Sequence, residues 1–226
     1  MANNNNTNNN RPVILKNDLT PERLAIHLAA AGEKGLLSVD CEMMGLKPVR
    51  DRLCLVQMAD ENGNITLLQI ETDQQEAPNL KILLESEKVI KIFHFARADL
   101  AFLRYQLGIL VNPVFCTKIA SKLARTYTDR HGLRELAREF VGIDLNKNQQ
   151  SSDWGKDTLS QEQIEYAAND VVYLIQLKNM LEKVLIRENR FELAEKCFEQ
   201  IHLMVELDLL EYDFVFEHNN PAKSGR

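Results

Sequence analysis

Two carboxylates, Asp40 and Glu42, stand two residues apart in the apolar stretch Leu36 to Glu42. A strand sends alternate side chains to opposite faces, so both acids leave on the same side. Ser38, Val39 and Cys41 around them are small or apolar. Acids in such a setting repel each other, lose hydration, and require a proton, a basic side chain or a metal. A hard divalent cation such as Mg²⁺ suits them, because it takes carboxylate oxygens and keeps waters for a substrate phosphate. Farther along, Tyr166 and Asp170 are four apart and so are neighbours on one helical face, with Ala167 and Ala168 allowing close packing beside them. Asp99 opens a helix just after the apolar run Val89 to Phe95. Singly, each has an ordinary reading too: a solvated strand end, a tyrosine at a core edge, a carboxylate favoured by the helix dipole.

The elements that must position these residues are legible in outline. Thr20-Pro21 opens a helix that ends by Gly32. Leu36 to Glu42, Leu53 to Ala59 and Ile65 to Ile70 read as strands, the last two joined by the hairpin signal Glu61-Asn62-Gly63-Asn64. Pro78 starts a short helix through Leu84, Val89 to Phe95 is a strand, Asp99 to Leu107 is a helix stopped at Gly108, and Val114 to Thr117 is a strand. Helices follow over Lys118 to Tyr127 and Leu133 to Val141. After a polar loop from Asn146 to Lys156, Ser160 and Gln163 form a capping box for a helix running to about Leu185. A last helix covers Glu188 to Leu207. This order predicts an α/β domain with a mixed sheet flanked by helices. The expected boundaries are a disordered Asn-rich tail over residues 1–11, one domain over 12–210 and a C-terminal tail over 211–226.

Composition narrows the function classes. The chain of 226 residues carries 27 Lys and Arg against 33 Asp and Glu, a net charge of −6. That is a poor footprint for gripping long duplexes through many phosphates. The charge is uneven, however: Lys118 to Arg138 holds six basic residues and two acids, while Glu188 to Glu217 holds nine acids and two basic residues. No apolar run approaches the ~18 residues of a membrane span, and the leader lacks the apolar core of a signal peptide. Cys41, Cys54, Cys116 and Cys197 are scattered, without a C-x-x-C pair, which points to a reducing cytoplasm. There is neither a G-x-G-x-x-G fingerprint nor a P-loop.

The order Asp40-x-Glu42, Asp99, Tyr166-x-x-x-Asp170 resembles the three exonuclease motifs of the DEDDy 3′–5′ exonucleases. This is the RNase D branch of the DnaQ-like, RNase H-like fold. The likeness extends to Gln150-Ser151-Ser152-Asp153-Trp154, Leu159-Ser160 and Glu165-Tyr166-Ala167-Ala168-Asn169-Asp170. Arg50-Asp51-Arg52-Leu53-Cys54, Lys91-Ile92-Phe93-His94-Phe95 and Phe115-Cys116-Thr117-Lys118 resemble nanoRNase C, a group of short RNase D-like enzymes. So does Arg125-Thr126-Tyr127-Thr128-Asp129-Arg130-His131-Gly132-Leu133.

The resemblance implies a two-metal phosphodiester hydrolysis with Mg²⁺ or Mn²⁺. Asp40 would bridge both ions, Glu42 and Asp170 would complete the site of the attacking water, and Asp99 would support the second ion. Tyr166 would orient the water. The implied substrate is short RNA, dinucleotides included, shortened from its 3′ end to nucleoside 5′-monophosphates. Relatives with the same acids trim tRNA or degrade DNA ends, so acid spacing leaves RNA and DNA both open. The resemblance also implies a ring-like homo-oligomer, with an octamer as one candidate size. A non-catalytic nucleic-acid-binding module would be missing a metal ligand, and none is missing.

Substrate contacts are sought among neighbours of the acids. Met43, Met44 and Leu46 follow Glu42 and could wedge against a terminal base, with core filling as their ordinary role. His94 and Phe95 end a strand and could stack on or bond a nucleotide. Lys118, Lys122 and Arg125, spaced i, i+4, i+7, form one basic helical face for phosphate, and Arg130, Arg134 and Arg138 could form another. Asp153, a loop acid before Trp154, reads as a turn residue.

Overall fold

The structure, a computed structural model, describes residues 11–30, 34–145, 149, 151–212 and 215–216. Most of the leader expected to be a loose tail lies outside these residues. Six strands form one sheet: β1 (Val13–Lys16), β2 (Gly35–Met43), β3 (Leu53–Asp60), β4 (Ile65–Gln69), β5 (Val89–Phe93) and β6 (Val114–Cys116). Their order is β1-β4-β3-β2-β5-β6. The pairs β2/β3 and β3/β4 are antiparallel, while β1/β4, β2/β5 and β5/β6 are parallel. The expected mixed sheet is therefore present. It gains one strand that sequence reading passed over, β1, whose four residues become a strand by pairing with β4.

Helices flank the sheet: α1 (Pro21–Ala30), α2 (Pro78–Leu84), α3 (Ala96–Leu107), α4 (Thr117–Ala124), α5 (Leu133–Leu136), α6 (Gln161–Val172), α7 (Leu174–Arg187), α8 (Phe191–Glu199) and α9 (Ile201–Leu209). A π-helical turn, Ala137–Val141, extends α5. The predicted helix from Ser160 to Leu185 is two helices that part at Tyr173, and the last predicted helix is two that part at Gln200. Neither break holds a Gly or Pro. The first falls where Val171, Val172 and Tyr173 give three successive weak helix formers. Among the described residues no helix is long and apolar enough to cross a membrane.

Alternation along β2 sorts its residues between two cores. Leu37, Val39 and Cys41 enter the main core with residues of α2, α3, α4 and α7. Asp40 and Glu42 take the other face, where α6 packs over β2, β3 and β4 beside a second core of Leu55, Ala59, Leu67, Trp154, Ala167 and Val171. A break in register between Glu42 and Met43 ends the regular pairing, and such bulges re-aim side chains next to active sites.

The β3–β4 hairpin that braces this face is pinned by Asp60. Its carboxylate accepts from His27 Nδ1 at 2.9 Å, from the Asn62 and Asn64 backbone N–H groups at 3.0 Å each, and from the Asn64 amide. Gly63 takes the left-handed conformation that the turn needs, at φ 78°. Asp60→Ala leaves several buried donors without an acceptor. It is expected to cost about 2–3 kcal/mol, lowering the midpoint by roughly 5–10 °C in calorimetry. A midpoint within about 1 °C of wild type would contradict this role.

Candidate active site

Three of the four predicted acids meet. One oxygen from each of Asp40, Glu42 and Asp170 lies within 4.8 Å of the other two. Asp40 and Glu42 arrive there by the pleat of β2. Asp170 arrives on α6, whose start is fixed by the capping box foreseen in the sequence: Ser160 Oγ accepts from Gln163 N at 3.2 Å, and Gln163 Oε1 accepts from Ser160 N at 2.9 Å. The Gln163 amide also donates to Ser152 Oγ and Asp153 O, tying the loop before the helix to its first turn. Trp154 from that loop packs against Tyr166, ring centroids 5.9 Å apart. The Tyr166 hydroxyl donates to Asp170 one helical turn on. Asp153 accepts from Gly155 N at 3.1 Å and is the turn residue expected.

Asp99 stands beside this trio, outside the 4.8 Å cluster. It is buried at 4% exposure, and its carboxylate accepts from the backbone N–H and thiol of Cys41, between the other two acids. The helix carrying it starts at Ala96, three residues earlier than predicted. Phe95 precedes it in the left-handed conformation at φ 70°, a strained state for a bulky side chain.

The electrostatics of the four acids agree with one another. Burial, and then the charges of Asp99, Asp170 and Glu42, push Asp40 well above the usual carboxylate range. Burial, then Asp170 and Asp99, push Glu42 up to about 9. Burial raises Asp99 to about 8, against the bonds from Cys41, and Asp170 to about 7, against the Tyr166 hydroxyl. Tyr166 is itself pushed far above an ordinary phenol by burial and the neighbouring acids. Among the described residues none of the ion pairs involves these four carboxylates. Clustered oxygen donors, desolvated and outside the ion pairs of the described residues, match the demands of a hard divalent ion.

The acids open into a cleft of about 340 Å³, lined also by His94, Phe95, Lys118, Gly132, Arg134 and Tyr166. Lys118 Nζ lies 3.9 Å from the centre of the Phe95 ring, which is 47% exposed. The Thr117 hydroxyl donates to Phe93 O and therefore accepts from His94 Nδ1–H, at 3.0 Å.

Other expected contacts fall elsewhere. Helix α4 ends at Ala124, so Arg125 leaves the predicted face. It is 2% exposed, ion-paired with Glu139 and donating to Ser121 Oγ and Arg130 O. It braces the 125–139 segment and does not line the cleft. Lys122 is exposed but outside the cleft lining. Met43 packs on the main core, and Met44 is 48% exposed outside the cleft.

One residue of the site was missed. Gln57, directly opposite Asp40 in the β2/β3 ladder, donates to Asp40 Oδ2 at 2.8 Å and lies 3.5 Å from Glu42 Oε1. The signal was available: a lone amide in the middle of the apolar strand Leu53–Asp60.

Residues 13–186 match the family described as 3′–5′ exonuclease. Ribonuclease D of Sphingobium indicum is 30% identical over 178 residues, 79% of this chain and 46% of that protein. The chain spans about half the length of the curated ribonuclease D relatives it matches. Brucella melitensis NrnC bound to pGG is 46% identical, with a TM-score of 0.83 over 91% of this chain and 98% of that one. The same protein with bound Mg²⁺ is 45% identical, with a TM-score of 0.82 over the same shares. The chain belongs to the 3′–5′ exonuclease family, alongside ribonuclease D and NrnC.

Proposed function

We propose that the protein is a metal-dependent 3′–5′ exoribonuclease that releases nucleoside 5′-monophosphates from the 3′ end of short RNA oligonucleotides, dinucleotides included. The observation that carries this is the cluster of Asp40, Glu42 and Asp170 within 4.8 Å, open to a cleft with a cation and an aromatic ring on its wall. Two divalent cations, Mg²⁺ or Mn²⁺, held by Asp40, Glu42 and Asp170 with Asp99 in support, would offset phosphodiester charge and supply a nucleophilic water at neutral pH. Lys118 is placed to take a phosphate, Arg134 lines the cleft with its guanidinium paired to Asp144, and the exposed Phe95 ring offers a base a stacking surface. A cleft of about 340 Å³ suits a nucleotide or two, not a long tract. The pGG-bound NrnC relative supports the same substrate class.

Tyr166 orients the attacking water here, and burial and the neighbouring acids, which push its hydroxyl above an ordinary phenol, make it a poor base for that water. Tyr166→Phe is expected to slow turnover roughly a hundredfold with little change in apparent substrate affinity. Unchanged turnover in single-turnover assays refutes that role.

Exposed Leu193, Leu203 and Leu210 on and beside α8 and α9 support the proposed ring-like homo-oligomer, and the free thiols of Cys41, Cys54, Cys116 and Cys197 support a cytoplasmic location. The deciding experiment is a length series, from labelled RNA dinucleotide to long oligomer with matched DNA, in Mg²⁺, Mn²⁺ or EDTA. Fastest release from the shortest RNAs, abolished by EDTA, is expected. A preference for long duplex DNA overturns the substrate, and hydrolysis that persists in EDTA overturns the mechanism.

A further inference from the structure

We propose that Gln57 is a positioning residue that sets the spacing of the Asp40 and Glu42 carboxylates for a divalent cation, an inference that rests on the metal-dependent reading above. Gln57 is fully buried, at 0% exposure, in a strand whose other residues up to Ala59 are apolar. Its Nε2 lies 2.8 Å from Asp40 Oδ2 and 3.5 Å from Glu42 Oε1, a full hydrogen bond and a long one. The two protons of one amide nitrogen thus reach both acids of the D-x-E pair.

The other end of the same amide is unsatisfied: Gln57 Oε1 is buried without a hydrogen-bond partner. Turning the amide over would not help, since it would aim the oxygen at two carboxylates. A buried polar group that satisfies only half its capacity is a worse choice for stability than an apolar side chain of similar volume. Leu55 and Ala59, two residues away on either side along the same face, show that the strand accepts such residues. The amide is therefore retained for what its nitrogen does.

A neutral donor is also the only kind that serves here. Lys or Arg in its place would form an ion pair with Asp40 and Glu42 and compete with the metal for their charge. A third acid would add repulsion to a cluster already held far from its ordinary ionisation. Gln57 binds the carboxylates and leaves their charge intact. Such partners of metal-ligating carboxylates fix ligand orientation, and their loss typically weakens metal binding by about 10- to 100-fold.

The test is Mg²⁺ binding to the whole metal-free protein, followed by calorimetry without substrate, for wild type, Gln57→Met and Gln57→Asn. Met conserves volume and removes the donors. Asn keeps an amide that is one methylene too short to span both acids. Each variant is first checked for a cooperative melt at acid pH, where the carboxyls are protonated. Affinity lower by about tenfold or more in a folded variant, with an acid-pH midpoint equal to or above wild type for Gln57→Met, is the expected result. A purely structural glutamine predicts the reverse pattern, a lowered midpoint with unchanged affinity. Wild-type affinity in either folded variant overturns the inference. Wild type that binds no Mg²⁺ overturns the metal-dependent reading itself, and the inference falls with it.

Discussion

Asp40→Asn is expected to lower the rate of 3′-end hydrolysis by at least about a thousandfold while raising the melting temperature of the metal-free protein at neutral pH. The two effects share one cause. Asp40 sits where burial and three other carboxylates all oppose its charge. In the metal-free fold that charge only destabilises, so a neutral isostere relieves it. Asn keeps the shape and can still take a hydrogen bond from Gln57 across the ladder, so the fold has no reason to move. With metal, the same charge is what draws cations into the cleft, and an amide oxygen replaces a formal negative charge with a weak dipole. Stability gained as function is lost is the signature of a site held away from its stability optimum. The measurement is paired: single-turnover release of mononucleotide in saturating Mg²⁺, and differential scanning calorimetry in EDTA. Activity within about tenfold of wild type would sink the catalytic role. A lowered midpoint in EDTA would show that Asp40 is structural.

How far the sequence disclosed this arrangement depended on the range of the interaction concerned. Local rules carried far. The period-two pleat put Asp40 and Glu42 on one face, the Asn-Gly pair made the β3–β4 turn, Thr20 accepts from Arg23 N at 3.2 Å as a cap should, and Ser160 with Gln163 began α6 where expected. The convergence of Asp170 on the strand acids was legible only through the resemblance of the motif order, because nothing local relates positions 130 residues apart.

What escaped was set by tertiary partners. β1 becomes a strand only because β4 offers a free edge. Arg125 continued the i, i+4, i+7 pattern, yet the helix ends one residue short of it, and the guanidinium turns inward to Glu139 and Arg130 O. Phe95 takes a left-handed backbone that no propensity assigns to phenylalanine, and this moves the start of α3 forward to Ala96. Gln57 is the instructive case: its type was anomalous for its strand, but its purpose appears only once β3 is laid against β2 in register. Asp99 marks the other limit. Its burial beside the trio matches the motif, while its carboxylate accepts from Cys41 and is not one of the three acids with oxygens mutually within 4.8 Å.

In EDTA the protein is expected to lose stability as pH rises from about 5 to about 9, with the midpoint falling on the order of 10 °C, and saturating Mg²⁺ is expected to remove most of that slope. Unfolded, the four carboxyls titrate near 4. Folded, burial raises Asp99 to about 8 and Asp170 to about 7, and burial followed by the charges of Asp170 and Asp99 raises Glu42 to about 9. Between those limits the native state binds more protons than the unfolded chain, so stability falls with rising pH. The loss begins above the unfolded value, near pH 4, and continues through about 9, where Glu42 ionises, with Asp40 also raised well above the usual carboxylate range. This is opposite in sign to Asp60, whose hydrogen bonds from His27 and Asn64 hold it low against the opposing effect of burial, so its contribution is lost only in acid. A cation reverses the sign of the acid cluster because it binds the ionised form, adding stability that grows with pH and with metal concentration. The two curves should therefore converge in acid and diverge at alkaline pH. A midpoint in EDTA that stays flat or rises between pH 5 and 9, or an equal Mg²⁺ increment at both ends, would show that the carboxylates are solvated and separate, and the cluster would then be no place to hold a metal.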